Sequence, residues 1–390
     1  MSKTLQDYAT LINDTIQSNE INHYITTDNM CQNLGGIDTF KNINIPQGKV
    51  RSFQKDDVLL SNIRLYFRKV YRAKQKGGCS SDVLVFRAKH IDSATLFAIL
   101  SNQIFTDYAC SGSQGSKMPR GNKTHMMNFK IPTINFTIAK IFNSIQNKIE
   151  NNHKINELLH KILELLYEQY FVRFDFLDEN NKPYQTNGGK MKFSKELNRL
   201  IPNNFEVKTL GELITWISGS QPPKSCHIYE HKEGYIRFIQ NRDYSSNDYV
   251  TYIPISKNNK ICYQYDIMMD KYGEAGAVRF GLQGAYNVAL SKISVLNQSM
   301  QEYIRSYLNS KPIKKYLSNA CMASTRSSLN ENHIYSLMLP IPPINLLQKY
   351  EKIAKNIITA IIKNNQSTQT LTALRDFLLP LLLTQQVKPQ

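Results

Sequence analysis

The chain has 390 residues, of which 41% are hydrophobic and 20% are charged, and its formal net charge is +17. This balance is typical of a soluble globular protein rather than a disordered chain, and the length predicts two domains. Six scattered cysteines without a C-x-x-C pair predict neither a zinc site nor a disulfide framework, and the longest apolar run is shorter than the ~20 residues of a membrane span.

Four features occur twice in the same order, about 210 residues apart. Each copy has a polar residue, Asp and three apolar residues, then a Gly-led strand-like segment, a polar loop, and the motif I-P-x-I-N. The pairs are KDDVLLSNIR (55–64) and QYDIMMDKYG (264–273), GGCSSDVLVF (77–86) and GAYNVALSKI (284–293), the loops 111–125 and 322–333, and IPTIN (131–135) and IPPIN (341–345). Ordered matches at one spacing indicate an internal repeat.

Each I-P-x-I-N motif precedes a long segment whose apolar residues recur at alternating steps of three and four, the spacing of a coiled-coil seam. The predicted seam residues are Ile138, Ile145, Asn152, Leu159, Ile162 and Leu166 in the first segment, and Ile353, Ile357, Asn364, Leu371, Leu374 and Leu378 in the second. Antiparallel pairing of these segments would set their polar central positions opposite each other, and a buried Asn can fix the register of such a pair. The alternative is two ordinary core helices, each packed into its own domain.

The sequence therefore predicts an α+β protein with a pseudo-two-fold internal repeat. Two globular mixed α/β domains are joined by two long helices that pair as an antiparallel coiled coil and set the distance between the domains. The predicted boundaries are a first domain at 1–136, a central helix at 137–176, a linker at 177–200, a second domain at 201–343, a C-terminal helix at 344–384 and a tail at 385–390.

Most of the positive charge belongs to the predicted domains. The segment 137–176 has five basic and five acidic residues and 344–383 has five and two, so +14 of the +17 lies outside the helices. A basic surplus favours a polyanionic partner, because each neutralised phosphate releases condensed counterions. The candidate DNA-binding residues, each of which could instead be a solvated surface group, are Arg64, Lys117, Arg120 and Lys123 in the first copy and Arg237, Gln240, Arg242, Lys271 and Arg326 in the second.

No catalytic or metal-binding constellation is found in the sequence. The loop 112–117 departs from the spacing of a phosphate-binding loop. His227 and His231 follow Pro222-Pro223, which argues for an extended segment rather than a metal-binding helix. Neither G-x-S-x-G nor the Asn/Asp-Pro-Pro-Tyr motif of amino-methyltransferases occurs. We predict no catalytic residue and no metal site on this chain.

The segment FVRFDFLDENNKPYQTNGGKMKFSKELNRLIPNNFEVKTLGELI (171–214) resembles the central joint of the specificity subunits of type I restriction–modification systems. In that family an F-V-x-F-D-like helix end, a P-Y…G-G-x-M linker and I-P-x-x-(W/F)-x-V-x-x-L-G follow one another. The C-terminal DFLLPLLLTQQ is similar to the family's L-L-P-x-L-L close, and YITTDNM (24–30) with LLSNIRLYFRKV (59–70) resembles one variety of its first target-recognition domain. Phe205 stands where Trp is usual, and the residues around Leu382 also depart from the common close.

The resemblance implies a non-catalytic DNA specificity subunit. Each domain would be a target-recognition domain that reads one half of a split, asymmetric site in double-stranded DNA, and the helix pair would set the gap. The implied partners are two methyltransferase subunits and restriction (translocase) subunits, with no membrane, in the cytoplasm of a bacterium or archaeon. The chain itself would bind no cofactor, whereas the complex would use S-adenosylmethionine for adenine methylation, together with ATP and Mg.

Two other classes of protein stay open on the residues alone. A stand-alone nuclease or modification enzyme is disfavoured by the missing methyltransferase and ATPase motifs. A stand-alone nucleic-acid-binding coiled-coil adaptor, including an RNA-binding one, would fit the charge and the repeat without any tie to restriction. A methyltransferase gene beside the gene for this chain would favour the specificity subunit.

Overall fold

The computed structural model describes residues 3–39, 41, 43–131, 133–245, 247, 249–322 and 328–383. The chain forms two compact units. Unit 1 comprises Met1–Ile155 and Asn364–Gln390, and unit 2 comprises Asn156–Lys363. Each unit therefore combines one α/β domain with a part of each long helix, since the unit boundaries fall inside those helices.

Unit 1 contains two four-stranded sheets, with strand orders β1-β8-β5-β6 and β2-β4-β7-β3, in which β3 and β7 are parallel and the other neighbours antiparallel. Its elements are α1 (Leu5–Tyr8), β1 (Ala9–Ile12), β2 (Thr15–Gln17), β3 (Tyr24–Ile25), β4 (Lys49–Phe53), β5 (Val58–Ser61), β6 (Val70–Arg72), β7 (Gly77–Cys79), β8 (Val83–Ala88), α2 (Ser93–Ser101), α3 (Gln103–Ser111), α4 (Lys123–Met127) and the first part of α5 (Phe136–Tyr167).

Unit 2 contains the four-stranded sheets β12-β19-β16-β17 and β14-β13-β18-β15 and the two-stranded pairs β10-β9 and β11-β20. Its elements are β9 (Met191–Ser194), β10 (Arg199–Pro202), β11 (Glu206–Thr209), β12 (Ile214–Ser218), β13 (Tyr235–Ile239), β14 (Tyr252–Pro254), β15 (Ile261–Cys262), β16 (Ile267–Asp270), β17 (Val278–Arg279), β18 (Gly284–Tyr286), β19 (Leu290–Val295), α6 (Gln301–Asn309), α7 (Lys311–Met322), α8 (Glu331–Tyr335), β20 (Met338–Ile341) and the first part of α9 (Ile344–Leu378). None of the helices in the described part of the chain is both long enough and apolar enough to cross a membrane.

The long helices are shorter than the sequence predicted. The first begins one residue earlier than expected and ends at Tyr167, where a π-helical turn, Glu168–Val172, follows it. The second ends at Leu378, followed by the 3-10 turn Pro380–Leu383. The tail predicted at 385–390 lies outside the described residues.

The internal repeat is visible in how the two domains are built. The sheets β1-β8-β5-β6 and β12-β19-β16-β17 connect equivalent strands in the same order. The first strand of each sheet follows a capping box, which was not predicted from the sequence. The backbone N–H of Thr4 donates to the Asp7 carboxylate, and that of Thr209 donates to the Glu212 carboxylate, each at 2.7 Å. In such a box a side chain satisfies a backbone donor that the turn leaves unpaired.

The predicted repeat of Asp followed by three apolar residues is confirmed as a pair of equivalent strands, β5 and β16. Both strands are buried at all four positions, which explains why their first three residues are all apolar instead of alternating with polar ones; the fourth is Ser61 in β5 and Asp270 in β16. Asp57 accepts a hydrogen bond from the backbone N–H of Gln54, and Asp266 accepts one from Tyr263, both at 2.8 Å. The aspartate therefore fixes the tight turn that leads into each central strand.

The I-P-x-I-N motifs connect each domain to its long helix. The backbone N–H of Ile131 donates to Lys3 at the start of the chain, and Ile341 pairs with Glu206 across β20 and β11. The Asn135 side chain then accepts hydrogen bonds from the first turn of α5, as an N-cap does. Each motif thus bonds to an early segment of its domain, Lys3 in the first and β11 in the second, before a helix begins.

The joint after α5 is packed with aromatic rings inside unit 2. Phe171 lies 4.4 Å from Tyr303 and 4.9 Å from Tyr350, measured between ring centroids. Phe205 is fully buried and packs against Phe174 at 5.5 Å. The phenylalanine at the position where the family usually has Trp is therefore a core residue of this joint.

Segments of α5 and α9 run antiparallel within each unit. In unit 1 the Asn152 side chain donates to Thr368 at 3.2 Å and to Ser367 at 3.4 Å. In unit 2, Leu159 and Leu163 pack against the buried cluster Ile358, Ile361 and Ile362. A polar contact in unit 1 and an apolar one in unit 2 thus hold the paired segments.

The predicted seam is correct in part of α5 and wrong in phase along part of α9. Ile138, Ile145 and Asn152 are buried, whereas Leu159, Leu166, Ile357, Asn364, Leu371 and Leu378 are half-buried. Three predicted seam residues are instead exposed, namely Ile162, Ile353 and Leu374, at 48%, 41% and 44%. After Tyr350 the buried row continues through Ala354, Ile358 and Ile361, one position beyond the predicted row. Apolar residues occupy both rows, so their spacing could not distinguish the two phases.

Candidate nucleic-acid interface

The structure brings together the four basic candidates of unit 1. The segment after β5 lies against the loop that precedes α4. The backbone N–H of Arg64 donates to the carbonyl of Pro119 at 2.9 Å, and the Arg64 guanidinium donates to the backbone carbonyl of Lys117 at 3.4 Å. Arg120 lies in the same loop and Lys123 opens α4. We call residues 111–123 the basic loop of unit 1, and Arg64 lies against this loop.

Close packing fixes the two ends of this loop. An ideal Cβ on Gly112 would lie 2.3 Å from the His125 ring, so no larger residue could bring the backbone this close. The same ring stacks on Tyr108 with centroids 4.1 Å apart. Near the other end, the backbone N–H of Gly121 donates to the carbonyl of Asn62 at 3.1 Å. The loop is thus held to the domain at both ends.

The charged tips of the basic loop face solvent. Lys117 and Lys123 are exposed, and Arg120 is 63% exposed while its guanidinium lies 3.0 Å from Asp82. Such an exposed ion pair contributes only ~0.2–1 kcal/mol, so a phosphate could replace Asp82 at little cost. These three groups have the accessibility that phosphate contacts require.

Arg64 is held in an unusual conformation. Its φ is 49°, in the left-handed region that residues other than glycine rarely adopt. The guanidinium lies 5.9 Å above the Phe67 ring, and Nε is buried and lacks a hydrogen-bond partner among the described residues. Strained, incompletely paired groups of this kind cluster at binding sites, which favours Arg64 as a functional residue.

In unit 2 the structure groups three candidates around the end of β13. Arg237 donates to the Asn247 side chain at 2.8 Å, and the backbone N–H of Gln240 donates to Asp243 at 2.8 Å in a capping box. Arg242 is 53% exposed and lies 5.7 Å from the Tyr249 ring. The turn after β13 therefore presents one exposed guanidinium above an aromatic ring.

Lys271 is not part of that group, because it follows β16 in a different sheet. Its ammonium donates to the Ser218 hydroxyl at 3.4 Å, and burial lowers the pKa of Lys271. Its carbonyl accepts from the backbone N–H of Leu329 at 3.1 Å, as Asn62 accepts from the basic loop in unit 1. The second polar loop thus meets its domain at the equivalent place. Arg326 lies outside the described residues.

Exposed aromatic residues beside these groups were missed in the sequence. Tyr249 is 68% exposed next to Arg242, and Tyr66 is 53% exposed two residues after Arg64. Aromatic faces stack on bases and on guanidinium groups. Their proximity in sequence to the basic candidates was the signal that could have identified them.

The described residues contain no group of three or more His, Cys, Asp or Glu side chains that could hold a metal ion. The arrangement is that of a repeat protein in which each of two α/β domains presents exposed basic groups on a loop or turn. Exposed basic groups of this kind are able to contact the phosphates of a polyanion.

The chain is also similar to known proteins, both in sequence and in fold. The sequence model of the family described as "Type I restriction modification DNA specificity domain" matches residues 202–373. The specificity subunit of the type I restriction enzyme MjaIX from Methanocaldococcus jannaschii is 24% identical over 75% of this chain and 68% of its own length. The MjaVIII specificity subunit of the same organism is 21% identical over 50% of this chain and 45% of its own length.

A solved structure shares the fold. The S subunit of a type I restriction–modification system from M. genitalium superposes with a TM-score of 0.63, at 14% identity, over 99% of this chain and 96% of that one. The resemblance found in the sequence is confirmed by these matches: the chain is similar in sequence to specificity subunits of type I restriction–modification systems, and it shares the fold of one of them. Subunits of this class are non-catalytic.

Proposed function

We propose that this chain is the DNA specificity subunit of a type I restriction–modification complex and that it binds a bipartite, asymmetric site. Each α/β domain reads one half of the site, and the paired segments of α5 and α9 set the gap between the halves. The main support is the repeat itself: both domains have the same central sheet, and each has a polar loop that meets the segment after an equivalent strand, at Asn62 and at Lys271.

The charge distribution supports a nucleic-acid ligand. The net charge of +17 is concentrated outside the long helices, and each domain exposes basic side chains such as Arg120 and Arg242. Lys and Arg that reach phosphates fix the position of a protein on DNA, whereas side chains that reach base edges supply sequence preference. The candidates include Lys and Arg side chains and one amide, Gln240, of the type that hydrogen-bonds to base edges.

The proposal includes the rest of the complex. Two methyltransferase subunits and restriction subunits assemble on the chain, in the cytoplasm of a bacterium or archaeon. S-adenosylmethionine, ATP and Mg belong to those partners and not to this chain. The purified chain is accordingly expected to bind DNA without cutting or methylating it.

Methylome sequencing of cells with and without the chain tests the proposal. Adenine methylation at one split sequence should be present only with the chain, and purified chain given DNA, S-adenosylmethionine, ATP and Mg²⁺ should show no turnover. An unchanged methylome in cells that carry an active methyltransferase partner would overturn the restriction role. DNA or RNA binding by the chain in that case would support the alternative, a stand-alone nucleic-acid-binding adaptor.

A further inference from the structure

A buried arginine in unit 1 connects both long helices to one turn of the α/β domain. Arg375 of α9 is 1% exposed, and its Nη1 donates to the carbonyl of Asn33 and to the side-chain oxygen of Gln146 on α5, each at 3.2 Å. Gln146 is also buried, and its Nε2 donates to the carbonyl of Leu34 at 2.5 Å. One side chain from each helix thus holds one of two successive carbonyls.

The turn that these side chains hold is strained. Asn33 and Leu34 have φ values of 52° and 60°, so two consecutive residues with a Cβ lie in the left-handed region. Such conformations persist only where surrounding contacts impose them. The Leu34 side chain is fully buried in the core of unit 1, which prevents the turn from relaxing toward solvent.

The same turn supports the segment that carries Arg64. The backbone N–H of Asn33 donates to Phe67 at 2.9 Å, and that of Leu34 donates to Arg68 at 3.1 Å. Arg64 and Arg68 flank the 3-10 turn between them, and both are left-handed, with φ of 49°. The hydrogen bonds therefore lead without interruption from Arg375 to the segment that contacts the basic loop.

A second contact runs in parallel through Asp376. Arg375 Nε donates to this carboxylate at 3.0 Å, and the guanidinium of Arg68 lies 4.0 Å from it. Arg68 also donates to the carbonyl of Ser101 at 3.0 Å. The Arg64–Arg68 segment is thus linked to α9 in two ways. One link passes through the Asn33–Leu34 turn, and the other passes through the Asp376 carboxylate.

Stability alone does not account for a buried arginine at this place. Apolar residues of similar size often replace buried ionic groups without loss of stability. The two helix segments of unit 2 meet each other through the apolar residues Leu159, Ile358 and Ile361, whereas those of unit 1 also meet through Arg375 and Gln146. The polar contacts of unit 1 instead specify one geometry between the helices and the domain.

We propose that Arg375 is a positioning residue for DNA recognition by unit 1. With Gln146 it clamps the Asn33–Leu34 turn, and the turn holds the Arg64–Arg68 segment in the orientation that places Arg64 and the basic loop against DNA. The inference rests on the proposed function, but the clamp itself can be measured without DNA. A coupling of this kind requires a contiguous physical network, and the hydrogen bonds above supply one.

Hydrogen exchange measured by mass spectrometry tests the clamp. In the full chain, Arg375→Met should raise exchange of the backbone amides at 33–34 and 64–68 at least tenfold, and Arg375→Lys, which keeps a charged donor, should raise it less. Gln146→Met provides a second variant at the other end of the clamp. The matched control is Arg305→Met in unit 2, since Arg305 is also buried and paired, with Glu302, and should leave these amides unchanged. Unchanged exchange in both Arg375→Met and Gln146→Met would overturn the clamp.

Binding of the full chain to a DNA library randomised in both half-sites tests the positioning role. The half-site read by unit 1 is identified as the one whose selection Arg64→Ala alters. Arg375→Met should weaken sequence preference in that half at least tenfold and leave the other half unchanged, and Arg375→Lys should restore part of it. Faster exchange with intact preference, or equal loss in both halves, would overturn the role. If the wild-type chain showed no sequence preference at all, the proposed function would be contradicted. The hydrogen-exchange experiment would still show whether Arg375 and Gln146 hold the Asn33–Leu34 turn.

Discussion

The Glu351 carboxylate of α9 accepts a hydrogen bond from the backbone N–H of Tyr303, with 2.9 Å between the oxygen and the nitrogen. Tyr303 lies in the first turn of α6, where backbone N–H groups lack partners within the helix. Burial raises the pKa of Glu351 from 4.5 to about 7, although this hydrogen bond acts in the opposite direction. The contact is therefore sensitive to pH in the neutral range.

We expect Glu351 to make the chain less stable as the pH rises from about 4.5 to about 7. In this window the folded chain keeps a proton on Glu351 that the unfolded chain has lost, so the free energy of unfolding decreases with pH, by up to roughly 3 kcal/mol for this group. Glu351→Gln should remove that contribution. Urea unfolding at several pH values measures the effect, with the exposed Glu179→Gln as control. Equal pH dependence of the wild type and Glu351→Gln would contradict the prediction.

The exposed pair of Arg120 and Asp82 predicts a phosphate contact rather than a base contact. Arg120→Ala should weaken binding to all DNA sequences about evenly and reduce the slope of log affinity against log salt by about one. Lys117→Ala should act in the same way or, if the side chain reaches a base, cost about 1–3 kcal/mol at one position. Fluorescence anisotropy between 50 and ~200 mM salt makes the measurement. Lys195→Ala, an exposed lysine on the turn between β9 and β10, is the matched control and should leave the slope unchanged.

Lengthening both long helices should widen the gap between half-sites and leave their sequences unchanged. Four residues add about 6 Å and about one helical turn, which corresponds to one or two base pairs of about 3.4 Å. The boundary between the units, after Ile155 in α5 and after Lys363 in α9, is the place for the paired insertions. The joint at 171–176 is unsuitable, because Phe171 and Phe174 are buried there.

Methylome mapping of the double insertion gives the gap directly. Insertion into α5 alone is the control, and it should disrupt the contact of Asn152 with Thr368 and reduce activity. An unchanged gap with full activity in the double insertion would show that the helices do not set the spacing.

Truncation of Phe205 should be strongly destabilising. The ring is fully buried between Phe174 and Phe176, so Phe205→Ala is expected to lower the free energy of unfolding by about 3–5 kcal/mol. Phe193→Ala is the matched control, because that ring is 59% exposed and its loss should change stability by less than ~1 kcal/mol. Chemical denaturation of the wild type, Phe205→Ala and Phe193→Ala measures the difference in the free energy of unfolding. Similar losses in the two variants would show that the aromatic joint does not stabilise unit 2.

The sequence by itself determined the repeat, the two long helices and the family that the chain resembles. Asp57 and Asp266 lead into equivalent buried strands, and Ile131 and Ile341 close equivalent domains, as their spacing had indicated. Such features can be read because turns, caps and strand patterns depend on residues that are close together in the chain.

Only the tertiary structure decided which residues meet across the chain. Ile353 and Ile358 belong to two apolar rows on one helix, and only the packing partner selects the second row for burial. Arg375 gave no sign in the sequence of its burial against Asn33, because its neighbours come from segments more than two hundred residues away. Local periodicity reports which side chains share a face of an element, whereas the partner of that face depends on long-range packing.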